Sequence, residues 1–184
     1  VFPPNPHNKH LKPEGPTPFP DSVTTFAKTL QGNGFATAAL GKWGPGYIST
    51  GSDPNKQGFN EFYGSNCQSL AHNYYPDHLW SNHERVDLAA NQNANNIYSA
   101  DVIQQQAIKF VSNIKQPFFL YLPYTLPHAE VIAPHDTVYY SRIKRFNEKP
   151  NTAKKMYEGR PRETYPNAAF ASMVTGLGRY VGEI

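Results

Sequence analysis

Two polar residues of the sequence follow apolar segments that have the composition of buried strands. Lys42 comes after the run 35–40, and His128 comes five residues after the end of the run 117–123. In open α/β sheets, functional groups collect on loops just beyond the carboxyl ends of the strands. A lysine supplies a fixed positive charge and a histidine supplies a hydrogen-bond donor or a proton, so the two could bind one anion. The spacing alone favours an ordinary solvated lysine over such an anion site.

The other residues with chemical potential form no convincing site. His72, His78 and His83 lie around Asp77, but spacings of six and five residues do not suit metal ligation, and we interpret them as surface histidines. Cys67 has no evident activating partner, so we interpret it as a partly buried small residue rather than a nucleophile. The sequence contains no G-x-S-x-G, no phosphate-binding G-x-x-x-x-G-K-S/T and no H-E-x-x-H motif.

The composition limits the class of protein. A chain of 184 residues is long enough for one domain with a real core, and an aromatic content of 14% is too high for a disordered polymer. No apolar run approaches the roughly 18 residues of a membrane-spanning helix. A single cysteine excludes an internal disulfide framework within these residues, and the net charge of +3 says little about partners.

The elements that would position Lys42 and His128 alternate between helix and strand. The spacing of apolar residues predicts helices over 22–34, 98–115 (capped by Ser99) and 167–184, with strands over 35–40 and 117–123. We expect the second strand to be buried on both faces. This order predicts an α/β fold with a mostly parallel sheet between helices. The last helix should bury one apolar face, made of Phe170, Met173, Val174, Leu177, Val181 and Ile184.

Three segments are predicted to be irregular. Seven prolines in residues 1–20 indicate an irregular surface segment. Residues 47–96 are rich in Asn, Gly, Ser and Tyr, and we interpret them as a long functional loop. Residues 142–162 carry eight basic and two acidic side chains. We interpret them as a solvated basic loop rather than a nucleic-acid surface, because no aromatic residues interleave and no binding motif is present.

Several of these segments together resemble the sulfatase family. Residues 34–43, G-F-A-T-A-A-L-G-K-W, resemble the second sulfatase signature, G-Y-x-T-x-x-x-G-K-W-H. Residues 57–64 are similar to the family's Gly-Phe-Asp-x-Phe-x-Gly segment, and 74–82 look like its sequel. The run 117–123 with Pro127-His128 resembles the family's strand and histidine loop, and 165–184 resemble the helix that follows.

The resemblance implies a fold and a chemistry. It identifies residues 1–184 as an incomplete catalytic domain of a type I, arylsulfatase-like sulfatase, part of an alkaline-phosphatase-like α/β sandwich. The complete enzyme would hydrolyse sulfate monoesters with a formylglycine nucleophile and a calcium ion. Lys42 matches the signature lysine that binds sulfate and steadies the nucleophile, and His128 matches the histidine that contacts the sulfate. Both residues are therefore expected to be catalytic and substrate-binding.

The sequence departs from the family pattern at three points. The formylglycine motif C/S-x-P/A-x-R does not occur, since Cys67 is followed by Gln68 and Ser69. The calcium ligands of the family are expected outside residues 1–184, so no metal ligand is assigned here. Gly44 replaces the histidine of the signature. We therefore expect an internal fragment that is inactive by itself.

Two alternatives to a sulfatase remain open. The chain could be a non-catalytic relative that binds sulfated polymers or a protein partner. It could also act on a phosphoester, as related phosphodiesterases and phosphoglycerol transferases do, although the signature around Lys42 argues against this. The resemblance implies a sulfated small molecule or polysaccharide as partner, no nucleic acid, no transmembrane segment, and a secreted, periplasmic or lysosomal location.

Overall fold

The computed structural model describes residues 18–20, 22–92, 94–152, 156–157, 160–161 and 163–184. They divide into two compact units, the first ending at Thr125 and the second beginning at Leu126. Of the proline-rich segment predicted over 1–20, only residues 18–20 are described, and they belong to no helix or strand. None of the described helices is long and apolar enough to cross a membrane.

A single five-stranded sheet forms the basis of the first unit. Its strands are β1 (Ala36–Lys42), β2 (Glu61–Ser65), β3 (His78–Ser81), β4 (Glu84–Asp87) and β5 (Phe118–Tyr121). They lie in the order β4-β3-β2-β1-β5. β1 is parallel to β2 and to β5, and β3 is antiparallel to β2 and β4. Four of these five strands point the same way, which confirms the predicted α/β fold with a mostly parallel sheet.

Helices cover both faces of this sheet. They are α1 (Phe26–Gly32), α2 (Gln68–Ala71) and α3 (Ser99–Asn113), with a short 3-10 helix over Ala89–Asn91. α3 packs on one face through Ile103, Ala107 and Phe110. α1 packs on the opposite face, where Ala27 joins an aromatic cluster. With both faces covered, residues 36–41 of β1 are all buried.

The stretch 47–96 is not the long loop that its composition predicted. It contains β2, α2, β3 and β4, because strands of four or five residues give too little alternation to stand out among Asn and Gly. Asn82 shows how a polar residue builds this region. It forms the β3–β4 turn with a left-handed φ of 51°, and its Oδ1 accepts hydrogen bonds from the Phe62 N–H and the Asn55 amide, both at 2.9 Å. The asparagines predicted to form a loop thus fasten a hairpin to the sheet.

Two local predictions about α3 and β5 are wrong. Ser99 does not cap α3; the N-cap is Tyr98, which makes no side-chain capping bond, and Ser99 is the first helical residue. β5 is not buried on both faces, since Phe118 and Tyr121 are 42% and 43% exposed. β5 is the edge strand of the described sheet, so only β1 pairs with it and its side chains are less covered than those of a central strand.

The second unit is built on a pair of packed helices. Its elements are α4 (Thr137–Phe146), β6 (Met156–Tyr157), β7 (Arg160–Pro161) and α5 (Pro166–Glu183). The basic segment 142–162 therefore begins inside a helix rather than in a loop. The Asp136 carboxylate caps α4 by accepting from the Tyr139 N–H at 2.9 Å, and Asn147 ends it with a left-handed φ of 47°.

α5 buries a different face from the one predicted. Phe170, Val174 and Val181 are exposed, and of the predicted apolar face Met173 is buried. α4 packs against α5, and the small side chains of Ala168, Ala169 and Ser172 allow two helices to approach closely. The buried residues of α5 therefore combine small side chains with Met173 and Tyr180, whereas hydrophobicity alone had selected large apolar side chains.

Tyr139 connects the start of α4 with the segment that precedes α5. Its ring is buried and stacks on His135, with centroids 4.4 Å apart, and its hydroxyl donates to Glu163 Oε1 at 2.8 Å. Burial, together with the hydrogen bond to Glu163 and the negative charge of that carboxylate, raises the pKa of Tyr139 well above its usual 10.0. The folded unit therefore keeps the phenol protonated at pH values where the unfolded chain loses that proton.

The approach of β1 to β2 depends on two glycines near the carboxyl ends of the strands. Gly41 is paired with Gly64 in the parallel ladder, and their φ values are 143° and 154°. A Cβ at Gly64 would overlap the Gly41 carbonyl oxygen, and a Cβ at Gly41 would lie 2.6 Å from the Pro123 carbonyl oxygen. Only glycine fits at these two positions, and Gly41 immediately precedes Lys42.

We expect Tyr139→Phe to lower the free energy of unfolding by roughly 1–3 kcal/mol near neutral pH, because a hydrogen bond to a charged carboxylate is lost. Above pH 10 the unfolded wild type gains stability by ionising Tyr139, so the advantage of the wild type over the variant should shrink. Urea unfolding at about pH 8 and about pH 11 measures this difference. An advantage of the same size at both pH values would contradict the assignment.

We expect Gly64→Ala to destabilise the protein by at least about 2 kcal/mol, because the added Cβ meets the Gly41 backbone and alanine is strained at positive φ. Gly32→Ala is the matched control, since a Cβ there meets nothing within 4 Å. The control should be neutral or slightly stabilising. Thermal unfolding of both variants tests the expectation, which fails if the two variants melt together with the wild type.

Candidate functional site

The carboxyl ends of β1, β2 and β5 lie at one edge of the sheet, called the carboxyl edge below. Lys42 ends β1 and is paired with Ser65, which ends β2. Just beyond β5, the Pro123 carbonyl oxygen accepts a hydrogen bond from the Lys42 backbone N–H at 2.9 Å. The backbone of Lys42 is therefore held between both neighbouring segments, and parallel strands with loops at this edge are the usual setting for a binding site.

The Lys42 side chain is half-buried at this edge. No described residue forms a hydrogen bond or an ion pair with its ammonium group. Partial burial makes an uncompensated charge costly, and an anionic ligand would offset that cost. Lys42 therefore has the placement and the unused charge of an anion-binding group.

Trp43 fixes the chain immediately after Lys42. Its backbone N–H extends the ladder by donating to the Ser65 carbonyl oxygen at 2.8 Å, and its Nε1–H donates to the Ser52 carbonyl oxygen at 2.9 Å. The indole ring is buried edge-on against Phe59, with centroids 5.7 Å apart. These contacts hold the start of the loop 43–60 in one place, so the carboxyl edge is preformed.

Three residues after β2 bring further polar groups to the carboxyl edge. Cys67 is buried, and its Sγ accepts from the Leu70 N–H at 3.4 Å as the N-cap of α2, so it has a structural role. Asn66 is 1% exposed, and no described group hydrogen-bonds its Oδ1. The first residue of α2 is Gln68, which is half-buried. The sequence motifs did not point to Asn66 or Gln68; their position after a parallel strand was the available signal.

His128 lies in the second unit, between Leu126 and α4. The ring is half-buried, and its Nδ1 accepts a hydrogen bond from the Glu130 backbone N–H at 3.3 Å. A backbone N–H can only donate, so the neutral ring carries its proton on Nε2. His128 can therefore donate from Nε2. The structure describes Lys42 and His128 each within its own unit.

The prediction that His72, His78 and His83 are surface residues is wrong for His78. His78 is fully buried, and its Nδ1 lies 2.7 Å from the Asp77 carboxylate. The reason is that His78 begins β3, whose side chains face the interior. His83 is exposed, as expected, and its Nε2 lies 3.1 Å from the buried Asp53 carboxylate. The Asp53 carboxylate also accepts backbone hydrogen bonds from its own loop, which gives it a structural role.

The described residues do not fit a metal centre. Among them there is no group of three or more His, Cys, Asp or Glu side chains that could hold a metal ion. The sequence also lacks the C/S-x-P/A-x-R motif in which a formylglycine would form. The polar side chains described at the carboxyl edge are suited to binding an anion through hydrogen bonds and the positive charge of Lys42.

Comparison with known proteins places this chain in a family. The Sulfatase family model matches residues 2–174. Arylsulfatase J of Mus musculus is 31% identical over 134 residues, which are 67% of this chain and 22% of that protein. The arylsulfatase of Klebsiella aerogenes is 29% identical over 142 residues, which are 68% of this chain and 27% of that protein. The chain thus spans about a quarter of the length of these curated relatives.

Solved structures share the fold. The structure of Ps i-CgsB in complex with k-i-k-neocarrahexaose matches 91% of this chain and 36% of its own, with a TM-score of 0.66 and 27% identity. A protein solved with its substrate, D-glucosamine-2-N, 6-O-disulfate, matches 78% of this chain and 26% of its own, with a TM-score of 0.51 and 27% identity. The match of the family model over nearly the whole chain confirms the resemblance carried by the signature around Lys42: the chain belongs to the sulfatase family.

Proposed function

We propose that the full-length protein hydrolyses sulfate monoesters and that this chain binds the sulfate group through Lys42 and His128. The observation that carries the proposal is the half-buried Lys42 ammonium at the carboxyl edge, which no described residue neutralises. Membership of the sulfatase family supports sulfate as the anion.

The reaction needs two kinds of help that these residues can give. Negative charge builds up on oxygen during hydrolysis, and a fixed positive charge or a hydrogen-bond donor aimed at that oxygen lowers the barrier. Lys42 supplies the positive charge. His128 supplies an N–H donor from Nε2, because its Nδ1 is occupied by the Glu130 N–H.

The family resemblance implies a formylglycine nucleophile and a calcium ion in the complete enzyme. The residues of this chain fit neither group, since the modification motif is missing from the sequence and no ligand cluster occurs among the described residues. This chain contributes binding of the sulfate oxygens.

We further propose a sulfated saccharide as the class of substrate, acted on outside the cytoplasm in a secreted, periplasmic or lysosomal setting. Two of the similar solved proteins were captured with k-i-k-neocarrahexaose and with D-glucosamine-2-N, 6-O-disulfate. The runner-up is a non-catalytic protein that binds sulfated polymers through the same edge. It differs from the enzyme in that binding would occur without release of sulfate.

We expect the full-length protein to release inorganic sulfate from a sulfated saccharide or an aryl sulfate, and to leave the matching phosphate monoester largely intact. Ion chromatography of the released anion measures both reactions. Binding of a sulfated oligosaccharide without sulfate release would favour the non-catalytic alternative. Faster release of phosphate than of sulfate would replace the proposal with a phosphoester hydrolase.

We expect Lys42→Ala to lower turnover of the sulfate ester by at least about 100-fold, the usual loss when one oxyanion-stabilising group is removed. The side chain is half-buried and bonded to no described group, so the thermal unfolding temperature should stay close to that of the wild type. Lys28→Ala in α1 is the control, since Lys28 is also half-buried but its Nζ donates to the Val23 carbonyl oxygen. Equal turnover in Lys42→Ala and Lys28→Ala would refute the role of Lys42.

A further inference from the structure

Gly44 leaves a space that another side chain occupies. A Cβ built on Gly44 would lie 2.8 Å from Gln68 Nε2, 3.6 Å from Gln68 Cδ and 3.7 Å from Gln68 Oε1. The φ of Gly44 is not in the left-handed region, unlike those of Gly41 and Gly64. Backbone conformation therefore does not require glycine at position 44. The feature that excludes a side chain there is the Gln68 carboxamide.

Gln68 reaches this space from the start of α2, which follows the neighbouring strand β2. β1 ends at Lys42 and β2 ends at Ser65, and these two residues are paired in the ladder. The Cys67 cap then starts α2 at Gln68, three residues beyond the end of β2. Gly44 is two residues beyond Lys42, and an extended chain rises about 3.3 Å per residue. Residues two apart on an extended chain face the same side, so the Gln68 amide beside Gly44 lies on the same side of the chain as the Lys42 side chain.

The Gln68 carboxamide has unused hydrogen-bonding capacity. The group is half-buried, and no described residue hydrogen-bonds it. An amide nitrogen carries two N–H donors, and leaving them unsatisfied in a partly buried place costs free energy. A ligand with acceptor oxygens at the carboxyl edge would satisfy them.

We propose that Gln68 is a substrate-contacting residue whose amide N–H groups donate to the sulfate group bound by Lys42, in the space that Gly44 leaves open. This inference rests on the proposed function. An amide does not titrate and cannot transfer a proton, so Gln68 orients the anion and stabilises its charge without acting as an acid or base. The carboxamide adds no charge, so it recognises the anion through its N–H donors, which need an acceptor oxygen such as those of sulfate.

The first test compares Gln68→Ala with Gln68→Glu in the full-length protein. We expect Gln68→Ala to weaken binding of inorganic sulfate, measured by calorimetry, and to lower kcat/KM for the sulfate ester, each by roughly 10- to 100-fold. Gln68→Glu should be worse than Gln68→Ala at neutral pH, because its carboxylate repels the anion. Its sulfate binding should recover as the pH falls toward about 4.3, where the carboxyl takes up a proton.

The second test uses the contact between Gly44 and Gln68. Gly44→Ala should displace the carboxamide and cause a loss similar to that of Gln68→Ala. The double variant should lose no more than either single variant, because both remove the same hydrogen bond. Gln116→Ala is the control, since Gln116 precedes β5 at the opposite edge of the sheet and is exposed. Thermal unfolding of every variant checks that the fold is kept.

The outcomes separate this inference from the proposed function. If Lys42→Ala loses sulfate binding and turnover while Gln68→Ala matches Gln116→Ala, the role of Gln68 is overturned and the proposed function stands. Losses in Gly44→Ala and Gln68→Ala that add up in the double variant would also overturn it. If the wild type neither binds inorganic sulfate nor hydrolyses the ester, both are overturned.

Discussion

The parallel pairing of β1 with β2 is the interaction on which the rest of the candidate site depends. At the amino end, the Thr37 backbone N–H donates to Asn60 Oδ1 at 2.9 Å, and the Thr37 hydroxyl donates to the Gly58 carbonyl oxygen at 2.7 Å. At the carboxyl end, Gly41 and Gly64 allow contact that no other residue would permit. A slip of one residue would break the Thr37 hydrogen bonds at the amino end and would bring a Cβ against the backbone at the carboxyl end. The register of β1 against β2 is thus fixed both by the hydrogen bonds at the amino end and by the two glycines at the carboxyl end.

Register in turn decides which side chains meet at the carboxyl edge. Because Lys42 is paired with Ser65, the segments 43–46 and 66–68 leave the sheet side by side. Trp43 then holds the first segment, and the Cys67 cap holds the second. The polar groups that remain are not needed to keep the segments in place. A rigid apolar frame with uncommitted polar groups at its edge is the arrangement that preorganised binding requires.

The sequence could predict the features that depend on local pattern, and the failures have a common cause. α3 and β1 were recognisable because each has a regular apolar period, and the signature 34–43 pointed to Lys42 through the family resemblance. His78 and β5 were misplaced because burial depends on what packs against an element rather than on its own residues. Gln68 was missed because its meeting with Gly44 joins residues 24 positions apart, and only the β1–β2 register brings them together.

On the proposed function, the single positive charge of Lys42 matches the single negative charge of a sulfate monoester. A sulfate monoester carries one negative charge at neutral pH, whereas a phosphate monoester carries nearly two, since its second pKa is about 6. On the proposed function, Lys42 contributes one positive charge, while the Gln68 amide and the neutral His128 ring contribute donors without charge. Lys42 balances one negative charge, so a phosphate dianion would keep a second negative charge that these three groups do not neutralise. The glycine at position 44 therefore admits a donor whose contribution does not change with pH, where a histidine side chain would have added a charge that does.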